Sequence, residues 1–300
     1  MNRLKGISMI IGGATLWGAT GPMMEWLGSE AHMSASFMLS VRLIIAGILM
    51  LIMQKMSHQS IMRPWKSKNW SAQLIVFSLI GLFGLQYSFV KTIEVSNAIV
   101  ATLLQFLAPI FVIIFISLAH KKWPPIAQVI GIIGTLLGLF LLLTNGSLQS
   151  LVVSSEALVW GVVLGFTYAF YTLYPTRLMK EFGVLTIVAW ATLLSGIYAA
   201  LGSRVWQSDE WHLLLEPKIV FMMVGLIILG SAAYVLFLGS MTYITPVETS
   251  VLSSFEPLAA MVISIVWLNA TLFTWQIVGM ILMIVFVVYL SVGGKKTTEK

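Results

Sequence analysis

Long apolar segments, each close to the length that crosses a bilayer, follow one another along almost the whole chain. A membrane-spanning helix needs about 20 predominantly apolar residues. Segments of this kind lie at 6–27, 33–53, 72–91, 96–119, 124–143, 155–175, 184–203, 218–241, 245–268 and 273–292. Only 9% of the residues are charged, whereas a soluble domain carries about 25%. The sequence therefore predicts an all-α polytopic membrane protein with ten transmembrane helices.

Basic residues are distributed unevenly between the connecting segments, and this distribution predicts an orientation. With the N-terminus in the cytoplasm, the outer segments would hold only Lys91, Arg204 and Lys218, and the cytoplasmic segments most of the other lysines and arginines. Because cytoplasmic loops carry an excess of Lys and Arg, we expect a multi-pass protein of the cytoplasmic membrane with both termini inside. The net charge of +6 then reflects orientation, and no nucleic-acid partner is expected.

Residue types that metal and catalytic sites require are absent from the sequence or scattered along it. The chain has no cysteine, and His32, His58, His120 and His212 lie near span ends or in loops, without ligand spacing. No Walker A loop, H-E-x-x-H or G-x-S-x-G motif is present. We therefore expect no cofactor, no metal site and no enzymatic activity.

The two halves of the chain resemble each other in order. The heptad QVIGIIG at 128–134 corresponds to QIVGMIL at 276–282, and Pro109 corresponds to Pro257 at a matched place in the ninth span. With five spans in each half, the halves would have opposite orientations. The prediction is two inverted five-helix repeats, residues 1–147 and 148–300, an arrangement that favours a transporter whose site lies near the bilayer midplane.

A carboxylate lies deep within the ninth apolar segment. Glu256 follows Thr245 by about 16 Å of helix, which places it near the middle of the hydrocarbon core. Glu248 lies one turn into the segment and is able to reach the interface. An ionisable group at membrane depth is a hypothesis for a functional site, although a glutamate that only bonds a neighbouring helix is the structural alternative. Small or polar residues share its helix face: Thr249, Ser253 and Ala260.

Several of these features together resemble the drug/metabolite transporter superfamily, EamA type. They are the ten spans in two sets of five, Trp17-Gly18 in span one, Arg42 within SVRLIIAG, and the paired Pro109 and Pro257. The resemblance implies a central cavity lined mainly by spans 1, 3, 4, 6, 8 and 9 and worked by alternating access. Members move amino acids, nucleotide sugars, choline and other metabolites in either direction, and this chain looks like the choline importers within the EamA-type proteins.

Aromatic residues occupy the spans that this resemblance places around the cavity. Aromatic faces close to one acidic group suit a small organic cation, because the ring quadrupole attracts it; packing or interfacial roles are the alternative for each ring. Gln105, which corresponds to Ser253 in the other half, would add a neutral hydrogen bond. The predicted substrate-binding residues are Trp17, Tyr87, Gln105, Tyr168, Tyr171, Tyr234, Ser253 and Glu256. Glu256 would also couple protons, and Pro109 and Pro257 would act as hinges.

The sequence thus predicts a secondary active transporter that takes up a choline-like quaternary amine with protons. An exporter of amino acids or other small metabolites, and a proton-coupled drug efflux pump, remain alternatives on the same fold. An integral-membrane enzyme and a lipid flippase are alternatives of other classes. A flippase is disfavoured because Arg42 alone is basic at membrane depth, and for Arg42 itself a structural role is expected, through backbone carbonyls or a lipid headgroup.

Overall fold

The computed structural model describes residues 2–57, 60–121, 123–147, 153–240, 243–244, 252 and 255–293. Within these residues the chain is helical, without any β-strand. Ten main helical segments are present in this part of the chain. They are α1 (Asn2–Ser29), α2 (Ala35–Met56), α3 (Lys68–Glu94), α4 (Ala98–Leu104, Gln105–Leu107 and Ala108–His120), α5 (Ile126–Thr144), α6 (Ser155–Leu173), α7 (Val184–Ser203), α8 (Pro217–Ser240), α9 (Phe255–Leu268) and α10 (Thr274–Gly293).

Seven of these segments, α2 to α8, are long and apolar enough to cross a membrane by length and composition. The described parts of α9 and α10 are apolar but shorter. Large apolar side chains such as Met53, Phe221 and Val266 are exposed on the outside of the bundle, where only lipid would solvate them favourably. The predicted all-α, multi-pass class is confirmed.

Close helix pairs form the frame of the bundle. The strongest contacts join α2 with α7, α5 with α10, and α1 with both α8 and α9. Small residues allow these approaches: a Cβ at Gly138 would lie 2.6 Å from the Gly279 carbonyl oxygen, and one at Gly47 would lie 2.5 Å from the Leu193 amide nitrogen. Interfaces of small residues are a common way for membrane helices to pack, because the backbones come into contact.

Two helices depart from regular α geometry near the centre of the bundle. In α3, a π-helical segment runs over Phe77–Phe83, and in α4 a 3-10 segment over Gln105–Leu107 precedes Pro109. Proline lacks an amide hydrogen, which accounts for a change of helix type beside it, and π-turns within α-helices occur frequently at functional sites. Pro22 lies inside α1, and Pro257 lies within Phe255–Leu268 of α9.

At one end of the bundle, carboxylates bind the amino ends of neighbouring helices. Glu25, near the end of α1, accepts a hydrogen bond of 2.7 Å from the Ala98 amide at the start of α4. Glu94, at the end of α3, accepts one of 2.9 Å from the Ala35 amide at the start of α2. Negative charge is stabilising beside a helix N-terminus, so these contacts connect α1 with α4 and α3 with α2 at this end of the bundle.

Candidate functional site

A cavity of about 80 Å³ lies where seven helices, α1 to α4, α6, α8 and α9, converge. Its wall combines two groups of opposite charge with amides, hydroxyls and aromatic rings. The lining residues are Trp17, Thr20, Met24, Arg42, Leu85, Gln86, Phe89, Gln105, Tyr168, Tyr171, Gly230, Tyr234 and Glu256. A cleft between helices in which a few polar groups converge among apolar and aromatic side chains is the usual form of a small-molecule site.

The acidic group of the cavity is held by an amide from another helix. Gln105 Nε2 donates a hydrogen bond of 2.7 Å to Glu256 Oε1. Gln105 itself is 6% exposed and lies in the 3-10 segment of α4. Among the described residues, no basic side chain forms an ion pair with Glu256. Within this part of the chain, the carboxylate is therefore oriented by a neutral donor.

The aromatic wall beside this carboxylate depends on how closely α1 approaches α9. A Cβ at Gly18 would overlap the Glu256 carbonyl oxygen and lie 2.7 Å from the Ala259 Cβ, so only glycine allows the approach. Trp17, the preceding residue, meets the Tyr234 ring edge-on with the centroids 5.0 Å apart. The Trp17-Gly18 pair thus brings α1 against α9 and presents an indole to the cavity.

A buried arginine forms another part of the wall. Arg42 is 8% exposed, and its Nη2 donates a 2.7 Å hydrogen bond to Gln86 Oε1, while Nη1 lies 3.3 Å from Met24 Sδ. Gln86 Nε2 in turn donates to the Tyr234 hydroxyl over 3.4 Å. These contacts connect α2, α3 and α8 through one polar chain.

The sequence falls within a known family of membrane transporters. The model of the EamA-like transporter family matches residues 4–144 and 155–292. The chain belongs to the EamA-like transporter family. This places it in the drug/metabolite transporter superfamily as a multi-pass membrane transporter, in a family that is not known for enzymes.

Relatives of similar length support the family assignment. The "Uncharacterized inner membrane transporter YicL" of Salmonella typhimurium is 30% identical over 293 residues, which are 97% of each chain. The "Uncharacterized transporter YwfM" of Bacillus subtilis is 26% identical over 285 residues, 94% of this chain and 92% of the relative. A solved structure titled "Crystal structure of protein" matches with a TM-score of 0.64 at 15% identity, covering 97% of this chain and 98% of the other, and shows a shared fold.

Most residues that the sequence predicts for substrate binding line this cavity. The structure brings together Trp17, Gln105, Tyr168, Tyr171, Tyr234 and Glu256. Tyr87 does not line the cavity: its ring packs on Phe83 and edge-on against Trp160, with centroids 5.5 and 5.8 Å apart. Ser253 lies outside the described residues, as do Glu248 and Thr249.

Other residues line the cavity without having been predicted from the sequence. Gln86, the neighbour of Tyr87, points into it, and Thr20, Met24 and Phe89 complete the wall. Arg42 also lines it and bonds side chains, whereas the sequence favours a structural contact with backbone carbonyls or headgroups. The only sequence signal for Arg42 is its charge within an apolar span, which marks a candidate functional residue.

No arrangement for a metal is present in the part of the chain that the structure describes. Among these residues, no three His, Cys, Asp or Glu side chains converge. The lining residues of the cavity offer hydrogen bonding, charge pairing and contact with aromatic faces.

Proposed function

We propose that the chain spans the cytoplasmic, or inner, membrane ten times as two inverted repeats, residues 1–147 and 148–300, with both termini inside. Two observations support this. The family model matches two segments, one in each half. The helix contacts are also symmetric between the halves. The first helix of the first half, α1, packs on α8 and α9 of the second half, and the first helix of the second half, α6, packs on α3 and α4 of the first. The YicL relative, by its printed name, lies in an inner membrane.

We propose further that the protein is a secondary active transporter that moves a small solute with a cationic amine by alternating access. The observation that carries this is Glu256, a carboxylate within an aromatic-lined cavity, bonded only to a neutral amide among the described residues. An ammonium group would be attracted both to this charge and to the faces of Trp17 and the nearby tyrosines. Choline is a small solute with these properties.

Glu256 would also couple transport to protons. A carboxylate without a basic partner in the described structure is able to bind both the substrate cation and a proton, so that their movements would be coupled through this one group. Pro109 and Pro257, in the two helices that carry Gln105 and Glu256, would serve as the hinges. An exporter of other small metabolites would use the same cavity in the opposite direction.

Choline binding to the purified protein tests this function. We expect saturable stabilisation in a thermal shift assay, weaker in the Glu256→Gln variant, and choline entry into proteoliposomes that responds to a pH gradient. A neutral isostere of choline, 3,3-dimethyl-1-butanol, is the matched control ligand, since it keeps the shape and loses the charge. If choline and its isostere stabilise the protein equally, the cation-binding function is wrong; if neither does at millimolar concentration, choline is not the substrate.

A further inference from the structure

The cavity contains a second charged group for which the proposed cation substrate gives no role. Arg42 lies within an apolar helix, is 8% exposed and lines the same cavity as Glu256. A guanidinium removed from water is costly unless an anion or several hydrogen bonds compensate it. What compensates Arg42 therefore bears on what the cavity binds.

The contacts of Arg42 in the described structure leave much of its capacity unused. Its guanidinium carries five N–H donors, and two contacts are present: the Gln86 oxygen and the Met24 sulfur, which is a weak acceptor. Among the described residues, no carboxylate forms an ion pair with it. Both acceptors are neutral, so the positive charge is available to an anion that enters the cavity.

The same contacts fix the direction of the guanidinium. Gln86 accepts from Arg42 and donates to the Tyr234 hydroxyl, so its amide is oriented from both sides. An arginine held in this way has little side-chain entropy left to lose when it binds a ligand. A carboxylate is the matching group, because its two oxygens accept two parallel hydrogen bonds from the guanidinium fork.

Arg42 and Glu256 reach the cavity from different helices, α2 and α9, and do not form an ion pair with each other. We propose that the substrate bridges them: it is a small zwitterion whose carboxylate binds Arg42 while its ammonium group binds at Glu256 among the aromatic rings. This specificity rests on the proposed function of Glu256, and it makes Arg42 a residue that selects zwitterions over simple cations.

Matched ligands on the wild-type protein test the proposal without any mutation. Glycine betaine and choline share a trimethylammonium group, and only the betaine carries a carboxylate; its methyl ester keeps the ammonium and loses the anion. We expect glycine betaine to bind the purified transporter at least about tenfold more tightly than either choline or the ester, since a buried charged hydrogen-bonding pair is worth about 1.5 to 3 kcal/mol. Equal or weaker binding of the betaine would overturn the zwitterion proposal.

Variants of Arg42 then assign the preference to this residue. We expect the ratio of betaine to choline affinity to fall close to one in Arg42→Gln and to be partly retained in Arg42→Lys, which keeps the charge without the fork. A ratio is used because general damage to the fold lowers both affinities together. An unchanged ratio in Arg42→Gln shows that the carboxylate binds elsewhere and overturns the role of Arg42.

The outcome also separates this proposal from the one on which it rests. If choline binds in a Glu256-dependent way and the betaine has no advantage, cation binding at Glu256 stands and the zwitterion proposal is wrong. If choline, betaine and ester all fail to bind, both proposals are wrong.

Discussion

Gln105 Nε2 and Glu256 Oε1 are 2.7 Å apart, and this hydrogen bond joins α4 to α9 across the cavity. Gln105 lies four residues before Pro109 and Glu256 directly precedes Pro257, so the bond connects the two helices beside their prolines. A change in the charge of Glu256 would therefore alter the hydrogen bond between the two helices.

The first prediction concerns the charge of Glu256. In Glu256→Gln the side chain keeps its size and loses its ability to exchange a proton, so we expect transport driven by a pH gradient to be lost while the protein still inserts and folds. Transport into proteoliposomes with and without an imposed gradient measures this. Glu30→Gln, at an exposed position, is the matched control and should behave as wild type. Coupling that is unchanged in Glu256→Gln would refute the prediction.

The second prediction concerns the indole of Trp17. An aromatic face contributes about 0.5 to 2 kcal/mol to binding a cation, so Trp17→Ala should weaken binding by about 2- to 30-fold, and Trp17→Phe by less. Isothermal titration of the purified variants gives both affinities. Trp123→Ala, at a side chain that is 96% exposed, is the control. A Phe variant as weak as the Ala variant would indicate that the indole acts by packing on Tyr234.

The third prediction concerns the contact between α1 and α9. A Cβ at Gly18 would overlap the Glu256 carbonyl oxygen, and overpacking of this kind costs about 1 to 3 kcal/mol. We expect Gly18→Ala to lower the thermal stability in detergent and to reduce transport, because it displaces the helix that carries the carboxylate. Gly28→Ala is a control in the same helix, since nothing lies within 4 Å of a Cβ there. Equal behaviour of the two variants would contradict the close approach.

The fourth prediction concerns orientation. Because the sequence has no cysteine, single cysteines report sidedness without background. An impermeant thiol reagent on intact cells should label Gln207→Cys and leave Ser60→Cys unlabelled, and both positions are exposed. Permeabilised cells, in which both should react, provide the control. The reverse pattern would place the termini outside.

Side-chain direction within α3 marks the limit of what the sequence predicts about the cavity. Gln86 and Tyr87 are adjacent, and one residue along a helix rotates the side chain by about 100°. The π-helical segment Phe77–Phe83 precedes them and alters the rotation from one turn to the next. The sequence pattern favours Tyr87 as the cavity residue, whereas the fold directs the side-chain amide of Gln86 into the cavity.

Features that depend on a short stretch of sequence are easier to predict than contacts between side chains that lie far apart in the chain. The span pattern and the unusual depth of Glu256 follow from hydropathy alone. The partner of Arg42 does not, because Gln86 lies 44 residues further along the chain and comes close only through the packing of α2 on α3. Likewise, the contact of Gln105 with Glu256 spans 151 positions.

Glu25 and Glu94 make the separation of the helices at their end of the bundle dependent on water. Any movement that separates α1 from α4 and α2 from α3 at this end breaks their bonds to the Ala98 and Ala35 amides. The Ala35 and Ala98 amides belong to buried residues and need replacement partners, and water is the partner at hand. In the alternating access proposed above, the conformation open at this end would take up water as it forms, so osmolytes that the protein excludes should favour the closed conformation and slow transport.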